Sequence, residues 1–412
     1  MNIRNELNEK QLEAVTTLAQ HVRIVAGAGS GKTRVLTYRI AYLLSELDVA
    51  PWSILAITFT NKVAEEMRQR ILKMIPEASS DLTIKTFHSF AANFLRKEID
   101  ILNFPRSFTI LDEDDQTKII KDIASDMNFK RGDKIVNKAL GYISSKKLKE
   151  QYPDDIKITK PAFEDEKTCL EIYTRYEEEK MRSYALDFDD LLLKTIRILE
   201  DYPSIHLKWQ NRFNYILIDE FQDTNDVENH MIKLLMKPST SLYVVGDPDQ
   251  TIYTWRGANQ SIILNLNKEY SDVQTIILER NYRSSQNILD SANKLISFNK
   301  MRVAKNLYTD ASKGEPVTVF AGASSKGEAD YVSREIQKLV KGGNKRYSDF
   351  AVLYRSNYVT MEFEAAFVNR GIPYKIFGGQ KFYQRREIKD VLAYFHLLIN
   401  ENDNISFYRI IN

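Results

Sequence analysis

The sequence predicts an α/β fold built on a parallel, doubly wound sheet. Three observations point to it. Short apolar runs at Val22–Ala26, Ile54–Thr60 and Leu82–Ser89 each lead into a helical pattern. A glycine-rich loop joins the first run to the first long helix. Two later apolar runs, Tyr215–Thr224 and Leu242–Gln250, end in carboxylates and amides. Alternation of strand and helix makes parallel strands with helical crossovers. Ligands of such sheets sit at the carboxyl ends of the strands.

Size and composition bound the rest. A chain of 412 residues suggests about two to three domains, ample for a core. Hydrophobic residues make up 43% and charged residues 28%, as in an ordinary soluble protein. The net charge of +2 announces no polyanionic partner, so a nucleic-acid surface must be a local patch. A lone cysteine, Cys169, excludes an internal disulfide and a cysteine-rich zinc site. No apolar run reaches membrane-spanning length and the first residues carry no apolar signal core, which makes the cytoplasm the default location.

Leu7–Val15 reads as a short helix with Asn8 as its N-cap. Gln11 in it could pair with an adenine edge through one donor and one acceptor, or be a solvated helix residue. The first strand then enters Ala26-Gly27-Ala28-Gly29-Ser30-Gly31-Lys32-Thr33, and Arg34–Leu44 is helical. The phosphate-loop pattern G-x-x-x-x-G-K-[ST] is met except at its first position, where Ala26 stands. Alanine is tolerable there if the strand end needs no positive φ. The three glycines let backbone N–H groups approach a phosphate. Lys32 can reach the β- and γ-phosphates, and the Thr33 hydroxyl can hold Mg2+.

The next two strands end at Phe59, Thr60 and Asn61 and at Thr86, Phe87 and His88. Phe59 and Phe87 suit either the core or a ligand. His88 suits a ligand contact or a hydrogen-bonded structural role, because no second histidine stands at metal spacing. Residues 93–185 are charged and mostly helical, with breaks near Pro105, Gly132 and Pro153. Seven basic residues lie between 128 and 150: Lys130, Arg131, Lys134, Lys138, Lys146, Lys147 and Lys149. They could face a phosphate backbone or form a solvated helical face.

Ala185–Leu192 returns to the core. Tyr215–Ile218 is a strand ending in Asp219 and Glu220, where the aspartate can hold Mg2+ and the glutamate can deprotonate a water. Downstream of a phosphate loop this pair is a specific signal. After the strand Leu242–Gly246, Gln250 could read a γ-phosphate or be a plain loop residue. Tyr253 and Trp255 flank Arg256, a grouping that suits base stacking or packing on the sheet. Beyond the strand Gln274–Leu278, Tyr282 could stack on adenine. Arg283 could be an arginine finger, although a surface ion pair is the commoner role. From about residue 286 a second α/β unit is expected, with strands at 316–320, 349–354 and 373–377 and helices at about 326–341 and 360–370. Lys341–Lys345 is the clearest turn or linker.

Taken together, these stretches resemble the UvrD, PcrA and Rep group of superfamily-one DNA helicases along essentially the whole chain. The matching segments are Leu7–Val15, Ala26–Thr33, Ile57–Met67, Thr86–Ser89, Ala185–Leu192, Ile218–Thr224, Val245–Ala258, Leu278–Ser284, Val352–Asn357 and Gly378–Lys389. Ala26 is the usual residue of that group, while Val63 replaces a commoner alanine.

The resemblance implies an ATP-driven translocase moving 3′-to-5′ on single-stranded DNA and at single/double-strand junctions. It implies a RecA-like first domain over 1–92 and 186–280, and a helical insertion over 93–185. Part of a second RecA-like domain would cover 281–385, and a further helical subdomain would start over 386–412. It assigns Gln11 and Tyr282 to adenine. It assigns Ala26, Gly27, Ala28, Gly29, Ser30, Gly31, Lys32, Thr33 and Arg34 to the phosphates. Thr33 and Asp219 go to Mg2+, Glu220 to the attacking water, and Gln250 and Arg283 to the γ-phosphate. Phe59, Asn61, His88, Tyr253, Trp255, Arg256 and Asn357 would line the DNA path.

Other readings are a nucleotide- and DNA-binding module without turnover and, more remotely, a nucleotide kinase, against which the aromatic–arginine cluster and Arg283 count. The sequence leaves the oligomeric state open. It stops in a stretch, Ile405–Asn412, that reads as helix, and the resemblance implies further motifs beyond it. The expectation is therefore a truncated or shortened form that binds ATP, binds DNA weakly and unwinds little or not at all.

Overall fold

The computed structural model describes residues 5–76, 81–130, 132–159, 163–343, 345–377 and 386–411. The chain forms two compact units, one of Met1–Gly314 with Leu392–Asn412 and one of Glu315–Val391.

Among the described residues the first unit has eight strands: β1 His21–Ala26, β2 Ile54–Ile57, β3 Thr83–Lys85, β4 Thr109–Ile110, β5 Ala185–Leu186, β6 Tyr215–Ile218, β7 Ser241–Gly246 and β8 Val273–Leu278. Six of them make one sheet in the order β3-β2-β6-β7-β1-β8. Every pairing in it is parallel. β1 lies between β7 and the edge strand β8, with His21–Val25 beside Leu242–Gly246 and His21–Ala26 beside Val273–Leu278. β4 and β5 pair separately.

The helices of this unit are α1 Glu9–Thr16, α2 Lys32–Ser45, α3 Asn61–Met74, α4 Phe87–Glu98, α5 Glu113–Asp126, α6 Ile135–Lys147, α7 Pro153–Thr159, α8 Glu164–Arg182, α9 Phe188–Asp201, α10 Pro203–Gln210, α11 Asp226–Leu235, α12 Ser261–Leu264, α13 Leu266–Glu269 and α14 Gln286–Ile296. They cover both faces of the sheet. Ile54, Ala56, Leu217, Tyr243 and Val245 pack on one side with Val35, Leu36 and Ile40 of α2. Leu55, Ile57, Ile216, Ile218 and Val244 pack on the other with Phe90 and Phe94 of α4 and Leu192 and Ile196 of α9. Alternate residues of one strand thus enter two cores, as the period of a strand requires.

A third core belongs to the helices between β3 and β6. Ile119, Ile123, Ala139, Ile143, Tyr173 and Tyr176 fill it, and Ile405 packs against it. Here the basic stretch departs from a phosphate-facing surface. Lys147 follows Ala139 and Ile143 at four-residue steps, so it falls on the buried face of α6. Its ammonium meets Asp187 and Asp190, each at 2.6 Å, and Glu177 at 3.2 Å. Lys138 pairs with Asp165 at 2.8 Å. Lys130, Lys134 and Lys149 are exposed, and Arg131 lies outside the described residues.

In the second unit, α15 Ser325–Lys341 and α16 Thr360–Asn369 pack through Ala329, Phe363 and Ala366. Arg370 ties them together by donating to Asp330 Oδ1 at 2.7 Å and to Ser333 Oγ at 2.8 Å. The helices form where the sequence predicts them, but the strands expected at 316–320, 349–354 and 373–377 do not. A strand is completed by a neighbour that takes up its N–H and C=O groups. Among the described residues these three segments form no strand, and Val319 and Leu353 are about nine-tenths exposed (90% and 92%). Two further helices are α17 Arg386–Ile399 and α18 Asn404–Ile411. Of the segments Lys341–Lys345 and Gly378–Lys389, residue 344 and residues 378–385 lie outside the described residues.

Candidate nucleotide site and DNA surface

The site is assembled at the carboxyl ends of β1, β2, β6 and β7. Ala26 is an ordinary strand residue paired with Leu278, so alanine suits it. The chain then turns tightly. Gly29 and Gly31 have φ values of 69° and 90°, which side-chain-bearing residues rarely adopt. Gly31 precedes the first residue of α2. The first N–H groups of that helix and its dipole therefore face the loop, an arrangement suited to phosphate. A methyl group on Gly31 would stand 2.8 Å from the Gln11 amide nitrogen, so the cradle is also sterically tight.

Gln11 does two jobs. Its side chain completes the capping box of α1 with Asn8, accepting from Asn8 N at 3.2 Å. Its Nε2 donates to Ser30 O at 3.0 Å, which anchors the loop. Tyr282 is 55% exposed and Asn8 Nδ2 donates to its hydroxyl at 2.6 Å, so Gln11 and Tyr282 both adjoin the N-cap of α1. Arg34 points elsewhere: its guanidinium donates to Glu6 O at 2.8 Å.

Lys32 and Thr33 meet the two carboxylates at the end of β6. Lys32 Nζ lies 2.6 Å from Glu220 Oε2, and Thr33 Oγ1 donates to Asp219 Oδ2 at 3.1 Å. Burial pushes the Asp219 carboxyl up to about 6 and the Glu220 charge adds to the shift, while Lys32 opposes it. A buried carboxylate beside a hydroxyl, in front of a glycine cradle, is a donor set fit for Mg2+ on a phosphate. Glu220 has φ of +50°, a left-handed backbone unusual for a residue with a side chain.

The remaining predicted residues divide. Gln250 donates to Asp247 Oδ2 at 2.5 Å rather than reaching the loop. Arg283 follows a segment clasped to the loop, where Tyr282 N donates to Gly29 O at 2.9 Å. Phe59 is 41% exposed and stacks on Tyr253, with ring centroids 4.9 Å apart. Trp255 is 62% exposed beside Tyr253, and Arg256 lies 4.7 Å above its ring. The structure thus brings Phe59, Tyr253, Trp255 and Arg256 together, whereas Phe87 enters the core.

Asn61 begins α3, and its Oδ1 accepts from Ser89 Oγ at 2.9 Å, which joins the ends of β2 and β3. His88 lies against the edge of Phe188, and burial holds its imidazole down at about 4. Its place in the first turn of α4 also disfavours a positive charge. Asn357 is exposed at the start of a short turn in the second unit.

Sequence reasoning missed Asn281 and Leu307. Asn281 Nδ2 donates to Ala28 O at 2.6 Å, and its Oδ1 accepts from Arg283 N and Ser284 N. Leu307 seals the loop from behind, against Gly27. An asparagine opening a turn was the available signal for the first. Nothing local marks the second.

Among the described residues no helix is long and apolar enough to cross a membrane. Two family models match the chain: the UvrD/REP helicase N-terminal domain over residues 7–271 and the UvrD-like helicase C-terminal domain over residues 276–412. The chain is 43% identical to an ATP-dependent DNA helicase PcrA of Leuconostoc citreum, over 100% of this chain and 55% of that protein. It is equally similar, at 43%, to proteins of the same name from Staphylococcus aureus strain Mu50 (99% of this chain, 56% of that protein) and Staphylococcus epidermidis (98% and 55%). The chain thus spans about half the length of these relatives. With both family models matched in order along a sheet whose phosphate loop faces two strand-end carboxylates, this chain belongs to the UvrD/REP helicase family.

Proposed function

We propose that this chain carries the ATP-hydrolysing motor of a DNA helicase that moves 3′-to-5′ on single-stranded DNA and separates strands at junctions. The observation that carries the reading is the convergence of Lys32 and Thr33 with Glu220 and Asp219, at the same sheet edge as the Phe59–Tyr253–Trp255 group. Gly29, Gly31 and the start of α2 hold the phosphates. Thr33 and Asp219 hold Mg2+, which neutralises developing charge when bound. Glu220 takes the proton of the attacking water, and Gln11 and Tyr282 flank the base. Phosphoryl transfer asks little covalent chemistry of the protein, so positioning and charge suffice. Arg283 and Gln250 serve the γ-phosphate, and the exposed rings stack on bases. DNA and ATP are the partners, and the cytoplasm is the proposed location.

In this reading 1–92 and 186–280 together make the first RecA-like domain, with 93–185 as a helical insertion, 281–385 as a partial second RecA-like domain and 386–412 opening a further helical subdomain. A second reading, an ATP- and DNA-binding module without unwinding of its own, is favoured by the second unit, whose extended segments complete no sheet among the described residues. ATP turnover with and without single-stranded DNA, followed by a strand-displacement assay, tests both. DNA-stimulated turnover with unwinding supports the motor. Binding without turnover supports the module. Turnover without unwinding supports a motor domain that needs more than residues 1–412.

A further inference from the structure

A second buried ionic group stands at the end of β7, behind the phosphate loop. Asp247 is 2% exposed. Its Oδ1 accepts from Lys305 Nζ at 2.6 Å, and its Oδ2 accepts from Gln250 Nε2 at 2.5 Å. The Lys305 side chain is only 3% exposed and also pairs with Asp249. Arg302 reaches Asp249 from the same segment, at 3.3 Å. The Asp247 backbone N–H donates to Gln222 Oε1 at 2.9 Å, and Gln222 Nε2 donates to Glu220 Oε2 at 2.8 Å. That oxygen is the one Lys32 meets. One continuous chain of polar contacts therefore runs from Lys305 to the phosphate-loop lysine.

The backbone that carries Lys305 is fixed on both sides. Arg302 Nη1 donates to Ile296 O at 3.2 Å, and Leu307 exchanges hydrogen bonds with the Asn293 side chain at 2.8 and 3.1 Å. Tyr308 N donates to Glu279 O at 3.2 Å. Burying an ammonium with carboxylates adds little net stability over apolar packing of similar shape. What it does supply is direction. A carboxylate only accepts, so the Gln250 amide must present its nitrogen to Asp247, and its oxygen is thereby aimed away from it. Lys305 shares the other oxygen of the same carboxylate with the Asp249 backbone N–H, which donates to it at 3.0 Å, and the two together fix the rotation of Asp247.

We propose that Lys305 is a positioning residue for ATP turnover, acting through Asp247 on the Gln250 amide and through the Asp247 backbone and Gln222 on Glu220. The inference rests on the hydrolytic reading of the site given above. It concerns turnover and not nucleotide affinity, because Lys305 stands behind the loop and meets Asp247 and Asp249 rather than the phosphate cradle.

The test compares Lys305→Met with the parent chain, using ATP turnover in single-stranded DNA and the affinity for a fluorescent ATP analogue. Turnover number should fall roughly 10- to 100-fold, the usual cost of a misplaced reacting group. Nucleotide affinity should change by less than about twofold, because the lost interaction serves the transition state. Lys305→Arg should restore most of the turnover. Gln250→Ala combined with Lys305→Met should lose less than the product of the two single losses, since the two share the branch through the Asp247 carboxylate. Lys305→Gln, a polar side chain that lacks the charge and the reach of the ammonium, serves as the second variant if the methionine protein does not fold, with the same fall in turnover expected. A folded Lys305→Met or Lys305→Gln protein with parental turnover, or losses that multiply in the double variant, overturns the inference. So does failure of both variants to fold, which makes the lysine purely structural. A Lys32→Ala control separates the two claims. Turnover that survives it strikes the hydrolytic reading, while turnover lost with Lys32→Ala but kept with Lys305→Met strikes only the role of Lys305.

Discussion

Lys32 Nζ and Glu220 Oε2 lie 2.6 Å apart, a direct pairing of the phosphate-loop lysine with the carboxylate that follows β6. An incoming phosphate competes for the ammonium, and the carboxylate it releases is then free to accept a proton. Lys32→Ala should therefore abolish ATP hydrolysis while the melting temperature shows a folded protein. Unchanged turnover would remove the nucleotide assignment.

Glu220→Gln keeps the shape of the side chain and removes its basicity. ATP and Mg2+ should still bind, and hydrolysis should slow by about 10²–10⁴-fold, the usual worth of a positioned base. Loss of nucleotide binding instead would make Glu220 structural or a direct metal ligand. Single-turnover hydrolysis beside equilibrium binding makes the distinction.

Trp255 is 62% exposed and shares its face with Tyr253 and Arg256. Trp255→Ala should weaken binding of single-stranded DNA by about 1–3 kcal/mol, similarly for all base compositions. Fluorescence anisotropy with homopolymeric oligonucleotides reads this, and unaltered affinity would count the ring as surface packing.

His88 gives a pH signature. Burial lowers its imidazole from 6.5 to about 4, so the folded protein resists protonation more than the unfolded chain does. The sign follows: the stability tied to this group is complete above pH 6.5 and is lost as the pH falls from 6.5 towards 4. Between pH 7 and pH 5 the loss is about 2 kcal/mol. Urea unfolding of the parent and of His88→Gln should show that increment in the parent alone. Equal pH dependence in both would mean that the ring titrates normally.

Lys147 separates two views of the basic stretch. Burial pulls its ammonium down, but Asp187, Asp190 and Glu177 outweigh burial and hold it well above its ordinary value. Lys147→Ala leaves Glu177, Asp187 and Asp190 to share the single ammonium of Lys180 and should cost about 3–5 kcal/mol of stability. Lys134→Ala, at an exposed position, should cost about 0.5 kcal/mol or less. Thermal melts of the two variants check the difference.

Much of the first unit was legible because its signals are local. An apolar run bounded by turn residues gives a strand whatever lies elsewhere, and Gly29, Gly31, Lys32 and Thr33 carry their chemistry in their spacing. Thr60 and Thr86 stand at strand ends and also cap α3 and α4, accepting from Val63 N and Ser89 N at 3.2 Å each. The contacts of Asn281 and Leu307 were not legible, because they join residues far apart in the chain and leave no periodic trace. The segments at 316–320, 349–354 and 373–377 mislead for the opposite reason. Their composition is that of strands, but a ladder is a property of two segments and cannot be read from one.

The seal behind the phosphate loop also limits which sequences this fold admits. A methyl group at position 27 would stand 2.3 Å from Leu307 Cδ2. The two positions draw on a single small volume, so a side chain at 27 requires the residue at 307 to shift or shrink. Gly27→Ala alone should be poorly tolerated, and Gly27→Ala with Leu307→Ala better. Across descendants of this sequence, residue size at 27 and at 307 would drift as one trait, although one position lies on the glycine loop and the other in a stretch with no motif of its own.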